Sequence, residues 1–321
     1  MKKIAVLFII ISILVVAIPS YFFISKSLNS EIIDTEIPHY FIAIHNEPYN
    51  SELNQYNKIT ESYQTLKEMV AKADQYNMKL IIMLSAQTAE YITSDNIRFD
   101  EVLSWKMDGH EISAYHQDIY HDNWDGYTDY KEKEAIAERK KFLLGINSSK
   151  NPESYVGSLD YMIQKIAKIN PDVKSGCVND EIDKNALPSK IIYDTCSGFA
   201  NFGNAEMRVS DLTPAKGKNE FVSYASYNGI GRKWLSYYSI ETLQHVESAK
   251  TVFNGMSYGV YGLAVHSVPS QMPAFSAMID FIHSKDQKSE KTLTLSGAIE
   301  SNILPQKNMS QELFEYPLAI G

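Results

Sequence analysis

Apolar runs of strand length alternate with amphipathic segments along most of the chain. Residues 40–44 and 79–84 are dominated by apolar side chains, which is typical of buried parallel strands. Between these runs, apolar residues recur at three- and four-residue spacing over 63–73, and this spacing predicts a helix. A second helix at 99–105 and a strand at 110–115 repeat the pattern.

The same alternation continues towards the C-terminus. It predicts helices at 159–169, 246–253 and 273–283, and strands at 173–178, 191–195, 221–226, 235–239, 259–265 and 292–298. Strands that alternate with helices predict a parallel sheet covered by helices. Seven to eight such units predict an α/β fold, a closed or partly open parallel (β/α) barrel over residues 39–321.

The N-terminus has the pattern of a targeting segment. Lys2 and Lys3 precede an uncharged apolar run at 4–24, and Lys26 follows it. At helical rise this run spans roughly 30 Å, enough to cross a bilayer with its basic end in the cytoplasm. We therefore expect residues 1–26 to be a membrane anchor or signal peptide and residues 27–38 to be a linker. The main domain is then extracytoplasmic, secreted or tethered at the cell surface.

The two cysteines, Cys177 and Cys196, suit an oxidising compartment. A disulfide between them closes a loop of about 20 residues, which stabilises the fold by roughly 3 kcal/mol in the chain-entropy model. Two free buried thiols are the alternative.

Charge and composition exclude one class of partner. The 321 residues carry a net charge of -9, and phosphate binding needs a basic face, so we expect no nucleic-acid partner. The 21 tyrosines suit a sugar-binding cleft but are equally common as half-buried filler.

Ionisable side chains gather where three predicted strands end. His45 and Glu47 follow the first strand, His116 and His121 follow the third, and His266 follows a late one. The carboxyl ends of barrel strands meet at one edge, where active sites lie. One carboxylate and two imidazoles, with a fourth position open, make a catalytic metal site. We therefore predict a divalent metal, Zn²⁺ or else Co²⁺ or Ni²⁺, on Glu47, His116 and His121. A solvated, His-rich loop is the alternative.

A motif in the third strand resembles a known family. The run Gly109–Ile112, Gly-His-Glu-Ile, followed by two more histidines, resembles the second motif of the NodB-type polysaccharide deacetylases. Asn46 and Glu47 fall where that family has an Asp-Asp pair, and His266 resembles its late catalytic histidine. Two departures stand out. Tyr115 occupies the position of the family's first metal histidine, with a histidine one residue later, and Asn46 replaces the general base.

The resemblance implies a NodB-like deformed barrel and a metal-dependent hydrolase that removes N- or O-acetyl groups from a polysaccharide or amino-sugar. His45, Asn46 and His266 then hold the catalytic positions, with His266 protonating the leaving group. An amide cannot accept a proton at neutral pH, so His45, Asp118 or a metal-bound hydroxide has to replace the aspartate base. His110 is expected to be structural.

Three further residues suit a sugar subsite: Trp124, Asp125 and Tyr127 follow the histidine cluster directly. Asp-Gly within this run is also an ordinary turn signal. Two other functions remain open. A glycoside hydrolase on a similar barrel would pair Glu47 with a second carboxylate about 5 to 9 Å away. A non-catalytic carbohydrate-binding protein would keep the fold without turnover.

Overall fold

Parallel strands and helices alternate through the part of the chain that the structure describes. The computed structural model describes residues 36–116, 123–129, 131, 159–178, 188–195, 199–202, 205–208, 217–227 and 230–308. Its strands are β1 (His39–Asn46), β2 (Ile81–Leu84), β3 (Glu111–His116), β4 (Ser175–Val178), β5 (Tyr193–Asp194), β6 (Phe199–Phe202), β7 (Ala205–Arg208), β8 (Lys218–Asn219), β9 (Val222–Tyr227), β10 (Ile230–Trp234), β11 (Tyr238–Ser239), β12 (Val260–His266) and β13 (Gln306–Asn308). Its helices are α1 (Tyr56–Asp74), α2 (Ala86–Thr93), α3 (Asn96–Met107), α4 (Leu159–Ala167), α5 (Leu243–Asn254), α6 (Met272–Lys285) and α7 (Leu295–Glu300).

One sheet contains a continuous parallel array in the order β11-β12-β1-β2-β3-β4-β5-β10. β9 extends it antiparallel to β10, β13 pairs parallel with β9, and β8 pairs antiparallel with β12. β6 and β7 form a separate hairpin. Within the described residues no pairing joins β11 to β13, so the predicted parallel barrel is confirmed in its partly open form.

Side chains along the strands alternate between two clusters. Tyr40, Ile42 and Ile44 of β1 pack outward beneath the helices, whereas Phe41 and Ala43 point to an inner cluster. This is the two-residue period of a strand that is buried on both faces. Full burial of each large apolar side chain contributes roughly 1.5–3 kcal/mol.

The inner cluster shows that the sheet curls. Val260 of β12 and Val222 of β9 lie far apart in the strand order, yet both belong to it. Leu295 and Ile299 of α7 fill the same space near the start of β1, where the Leu293 N–H donates to the Tyr40 carbonyl at 2.8 Å.

The helix predicted at 63–73 is α1, whose buried face contains the periodic residues Tyr63, Leu66, Met69, Val70 and Ala73. The strand predicted at 292–298 is wrong beyond its first residues. Thr294 begins α7 there, and its side-chain oxygen accepts the Gly297 N–H at 3.0 Å. Helix α2 was not predicted, although Ser85 is an ordinary N-cap whose hydroxyl accepts the Thr88 N–H.

Two predictions about export fall on residues outside the described ranges. The apolar run at 4–24 and Cys196 both lie there, so the membrane segment and the disulfide stay predictions. Cys177 is buried in β4 and is not a free thiol. Among the helices of the described ranges, none is both long and apolar enough to span a membrane.

Gly262 allows β12 to pack closely inside the barrel. A Cβ there would lie 2.2 Å from the Ser236 carbonyl oxygen and 2.4 Å from Cζ of Phe41. Real atoms do not approach this closely, so any larger residue has to displace the backbone or the ring.

Gly262→Ala is therefore expected to lower the free energy of unfolding by about 1–3 kcal/mol, the usual cost of overpacking a core. Gly231→Ala in β10 is the matched control, because nothing lies within 4 Å of a Cβ atom placed at Gly231. Urea unfolding of both variants measures the difference. Equal midpoints for the two variants would contradict the close packing at Gly262.

Candidate active site

Three strands bring ionisable side chains together at the carboxyl edge of the sheet. Glu47 follows β1, Tyr115 is near the end of β3, and His266 ends β12. β1 and β12 pair in parallel with His45 opposite His266, so Glu47 lies two residues beyond a fixed register. Tyr115 points inward, as a member of the inner cluster.

Glu47 is the centre of this group. Its Oε1 atom accepts a hydrogen bond from the Tyr115 hydroxyl at 2.8 Å and contacts His266 Nε2 at 3.0 Å. The Glu47 side chain is 20% exposed and that of His266 is 23% exposed, so both reach the surface of the edge. None of the described residues makes a hydrogen bond to Glu47 Oε2.

The hydrogen bonds of Gln271 determine which nitrogen of His266 carries the proton. Gln271 Oε1 accepts the His266 backbone N–H at 2.8 Å, so the amide nitrogen of Gln271 faces His266 Nδ1 at 3.2 Å. An amide nitrogen only donates, so in the neutral imidazole Nδ1 accepts and Nε2 carries the hydrogen that is shared with Glu47. Burial lowers the pKa of His266, but the hydrogen bond to Glu47 and its negative charge outweigh burial and raise the pKa above its ordinary value.

His45 is buried beside Glu47 and His266. Its ring stacks on Tyr115 with centroids 4.7 Å apart and lies edge-on to His266 at 5.5 Å. Burial, followed by the neighbouring His266, holds the pKa of His45 well below its usual range, so this imidazole is neutral. Its buried Nε2 has no hydrogen-bond partner among the described residues.

The ring of Tyr237 also lies beside His45, with the two centroids 5.2 Å apart. Burial raises the pKa of Tyr237, and the charges of Asp194, Glu47 and Glu241 raise it further. Neither Tyr237 nor Tyr115 was predicted from the sequence as a site residue. For Tyr115 a signal existed, because it occupies a metal-ligand position of the resembling family.

Asn46 points away from Glu47. Its side-chain nitrogen donates to the Met83 carbonyl at 3.1 Å, and its oxygen accepts from the Ser267 hydroxyl at 3.0 Å. The side chain is fully buried, so it ties the end of β1 to β2 and to the residue after β12. These contacts give Asn46 a positioning function; whether it also takes part in catalysis stays a prediction.

His116 lies next to Tyr115 in β3, and neighbouring strand residues point to opposite faces. Its Nδ1 contacts the Thr128 hydroxyl at 3.3 Å, and that hydroxyl donates to Asp125 Oδ2 at 3.2 Å. Tyr115, rather than His116, therefore reaches Glu47.

The structure describes two of the three predicted metal ligands, Glu47 and His116. Glu47 and His116 make separate contacts, and His121 lies outside the described residues. Within the described ranges, no three His, Cys, Asp or Glu side chains are arranged to hold a metal. A metal on Glu47, His116 and His121 stays a prediction.

The predicted sugar-binding residues lie in a loop near this edge. Asp125 accepts the Tyr127 and Thr128 N–H groups at 2.6 and 3.1 Å, while the Trp124 carbonyl accepts the Ser51 N–H at 2.9 Å. Asp125 and Tyr127 line a pocket with residues that follow β1 and β2.

The same loop contains a carboxyl group that keeps its proton. Burial and the charge of Asp125 raise the pKa of Asp129 to about 10, so Asp129 is neutral at physiological pH.

His110 lies before β3, at the opposite end of the strands. Its Nδ1 accepts the Leu80 N–H at 3.0 Å, and its Nε2 pairs with Asp74 Oδ1 at 3.0 Å. The expectation that His110 is structural is confirmed.

Comparison with known proteins gives only distant likenesses. No protein-family model matches the chain, and no curated protein sequence matches it. Similar solved structures include a probable polysaccharide deacetylase from Pseudomonas aeruginosa PAO1, with 12% identity and a TM-score of 0.45 over 84% of this chain and 90% of that one. PuuE allantoinase has 11% identity and a TM-score of 0.43 over 85% and 90% of the two chains. A 4-alpha-glucanotransferase from Thermococcus litoralis has 11% identity and a TM-score of 0.44 over 88% of this chain and 41% of that one. The deacetylase resemblance noted in the sequence recurs among these structures.

The contact between Glu47 and His266 predicts a titration that NMR can follow. The imidazole of His266 should titrate above its ordinary pKa of 6.5, and Glu47→Gln should lower that value because the charge is removed. His39, at the other end of β1, is the control and should not move. Since the folded-state pKa is raised, protonated His266 stabilises the fold below about pH 6.5, and this contribution is lost as pH rises through the folded pKa. A His266 pKa that is unchanged by Glu47→Gln would contradict the pairing.

Proposed function

We propose that this protein is an exported hydrolase that removes N- or O-acetyl groups from a polysaccharide or amino-sugar. The observation that carries the proposal is the state of Glu47. Tyr115 and His266 both contact its Oε1, and no described residue contacts its Oε2. A carboxylate fixed through one oxygen and open at the other suits general base catalysis.

In this proposal Glu47 activates a water molecule. The water oxygen bonds to the acyl carbon while one of its protons moves to Glu47 Oε2. The tetrahedral species then collapses and its acyl C–N or C–O bond breaks. The leaving amine or hydroxyl takes a proton from the imidazolium form of His266, and the neutral imidazole then takes the proton that Glu47 gained, so that both groups return to their starting state.

Tyr115 and His45 support this pair without exchanging protons. Burial strongly raises the pKa of Tyr115, and the charge of Glu47 raises it further, so the phenol keeps its proton and holds the carboxylate in place. The stacked ring of His45 excludes water from that side. Excluding water strengthens the electrostatic interaction between Glu47 and His266.

A metal on Glu47, His116 and His121 is the alternative to this base mechanism, because Glu47 Oε2 cannot bind an ion and accept a proton at once. The described residues do not complete that ligand set, since His121 lies outside them. Metal analysis of the purified protein decides whether Zn²⁺ is bound. Export rests on the apolar run at 4–24 and on two cysteines that suit an oxidising compartment.

A glycoside hydrolase is the second candidate, and one observation favours it. The charges of Asp194 and Glu241 act on Tyr237 together with that of Glu47, so other carboxylates lie near the site. Hydrolysis of the glycosidic bond requires two such groups. The products separate the candidates, because a glycosidase releases reducing ends and a deacetylase releases acetate.

Glu47→Gln is expected to lower kcat for acetate release from acetylated chitooligosaccharides by about 10² to 10⁴-fold, the usual contribution of a general base. Glu101→Gln is the matched control. Glu101 accepts the Tyr63 hydroxyl at 2.6 Å, the same kind of Tyr–Glu bond, on α3 away from the site. An enzymatic acetate assay measures both variants. Equal acetate release by wild type and Glu47→Gln would rule out Glu47 as the base.

A further inference from the structure

A pocket lies beside the Glu47 site and has a volume of about 270 Å³. Its walls come from the segment after β1, from α2 after β2, and from the loop after β3, so it opens on the same edge of the sheet as Glu47. Pockets that enclose drug-sized ligands measure about 300–1,000 Å³, so this one suits a short piece of a larger molecule.

Hydrogen bonds hold the three walls together before any ligand binds. The Tyr49 N–H donates to Gln87 Oε1 at 2.8 Å, and Gln87 Nε2 donates back to the Tyr49 carbonyl at 2.7 Å. The Ser51 N–H donates to the Trp124 carbonyl at 2.9 Å. A preformed pocket avoids the entropy cost of ordering its walls on binding.

Tyrosine rings supply the apolar surface of this pocket. Tyr56 is 57% exposed, and its ring lies edge-on to Tyr91 at 5.4 Å. Arg98 covers one face of Tyr91 at 3.9 Å, and Tyr161 stacks on Tyr127 at 6.1 Å. Rigid tyrosine rings give contact area at low entropy cost, and the flat C–H face of a sugar ring packs well on them.

One polar atom in the pocket lacks a partner. Gln55 Oε1 is buried and makes no hydrogen bond to any described residue. A buried acceptor without a donor costs free energy, so a turn of the Gln55 amide that brings Oε1 to a ligand hydroxyl or N–H gains affinity. Gln55 begins α1 but makes no side-chain capping bond, so its amide is not needed to hold the helix.

The charge of the pocket limits the ligand class. Glu90 and Asp125 line it, and no Lys or Arg is among the described residues that do. Glu90 pairs with Lys165. Because Lys165 offsets the charge of Glu90, the remaining charge of the lining is that of Asp125, which disfavours acidic sugars and accepts neutral or amino-sugars.

We propose that this pocket binds one neutral or amino-sugar unit of the glycan, next to the unit whose acetyl group Glu47 reaches. Tyr56 stacks on the sugar ring and Gln55 accepts a hydrogen bond from it. The inference rests on the proposed function, since it names the sugar class for the same edge of the sheet.

Isothermal titration calorimetry with Glu47→Gln protein tests the pocket without turnover. The probes are N-acetylchitotetraose, its fully de-N-acetylated form, and a tetramer of galacturonic acid as the acidic comparison. The first two should bind, and the acidic tetramer should bind at least tenfold more weakly. Tyr56→Ala and Gln55→Ala should each weaken binding of N-acetylchitotetraose about tenfold, which is about 1.4 kcal/mol.

Tyr258→Ala is the control, because Tyr258 is a similarly exposed tyrosine that precedes β12 at the other end of the sheet. The Tyr258→Ala variant should bind N-acetylchitotetraose with the same affinity as the Glu47→Gln protein in which it is made. Undiminished binding by Tyr56→Ala and Gln55→Ala, or equal binding of the acidic tetramer, would overturn the pocket assignment. Acetate assays separate the two proposals. Turnover that is unaffected by Tyr56→Ala overturns the pocket alone, whereas Tyr56-dependent binding without acetate release from wild type overturns the deacetylase function alone.

Discussion

The register between β1 and β12 is the constraint on which the site depends. Their pairing runs from His39 opposite Val260 to His45 opposite His266. A shift of one residue would turn every side chain of β1 to the other face and move Glu47 away from His266. The Ser267 N–H, which donates to the His45 carbonyl at 3.0 Å, extends this register beyond the strand ends. Gly262 lets β12 lie close enough to the inner cluster for the pairing to form.

The paired ends of β1 and β12 place the carboxylate of Glu47 beside the buried aromatic rings of His45, Tyr115 and Tyr237. One oxygen of Glu47 accepts a hydrogen bond from Tyr115 and contacts His266 Nε2. Burial keeps His45 neutral by lowering its pKa. The pKa of His45 is lowered and that of its neighbour His266 is raised. Such opposite shifts in adjacent groups are common at functional sites. The neighbouring pocket, with Tyr56 and its unpartnered Gln55 oxygen, gives the same edge a surface for binding a glycan.

The sequence predicted the strand ends well because buried parallel strands are continuous apolar runs. That pattern located His45, Glu47 and His266 at one edge of the sheet. It did not determine which of Tyr115 and His116 faces inward, because in a strand buried on both sides either face can be the inner one. The tertiary contact of Tyr115 with Glu47 decides that question.

Other features depended on contacts far apart in the chain. Tyr237 joins the site only because the segment before β11 lies beside β12. The alternation at 292–298 resembled a strand, but capping by Thr294 turned it into α7. The local sequence pattern alone does not show whether a capping residue or an apolar alternation determines the secondary structure of such a segment.

A double-mutant cycle on kcat/KM tests the central claim most directly, that Glu47 and His266 act as one unit in turnover. Glu47→Gln and His266→Gln are each expected to lower kcat/KM, and the double variant should lose little more than the worse single variant, because groups that act together are strongly non-additive. Losses that multiply in the double variant would show that the two residues act independently and would contradict the account.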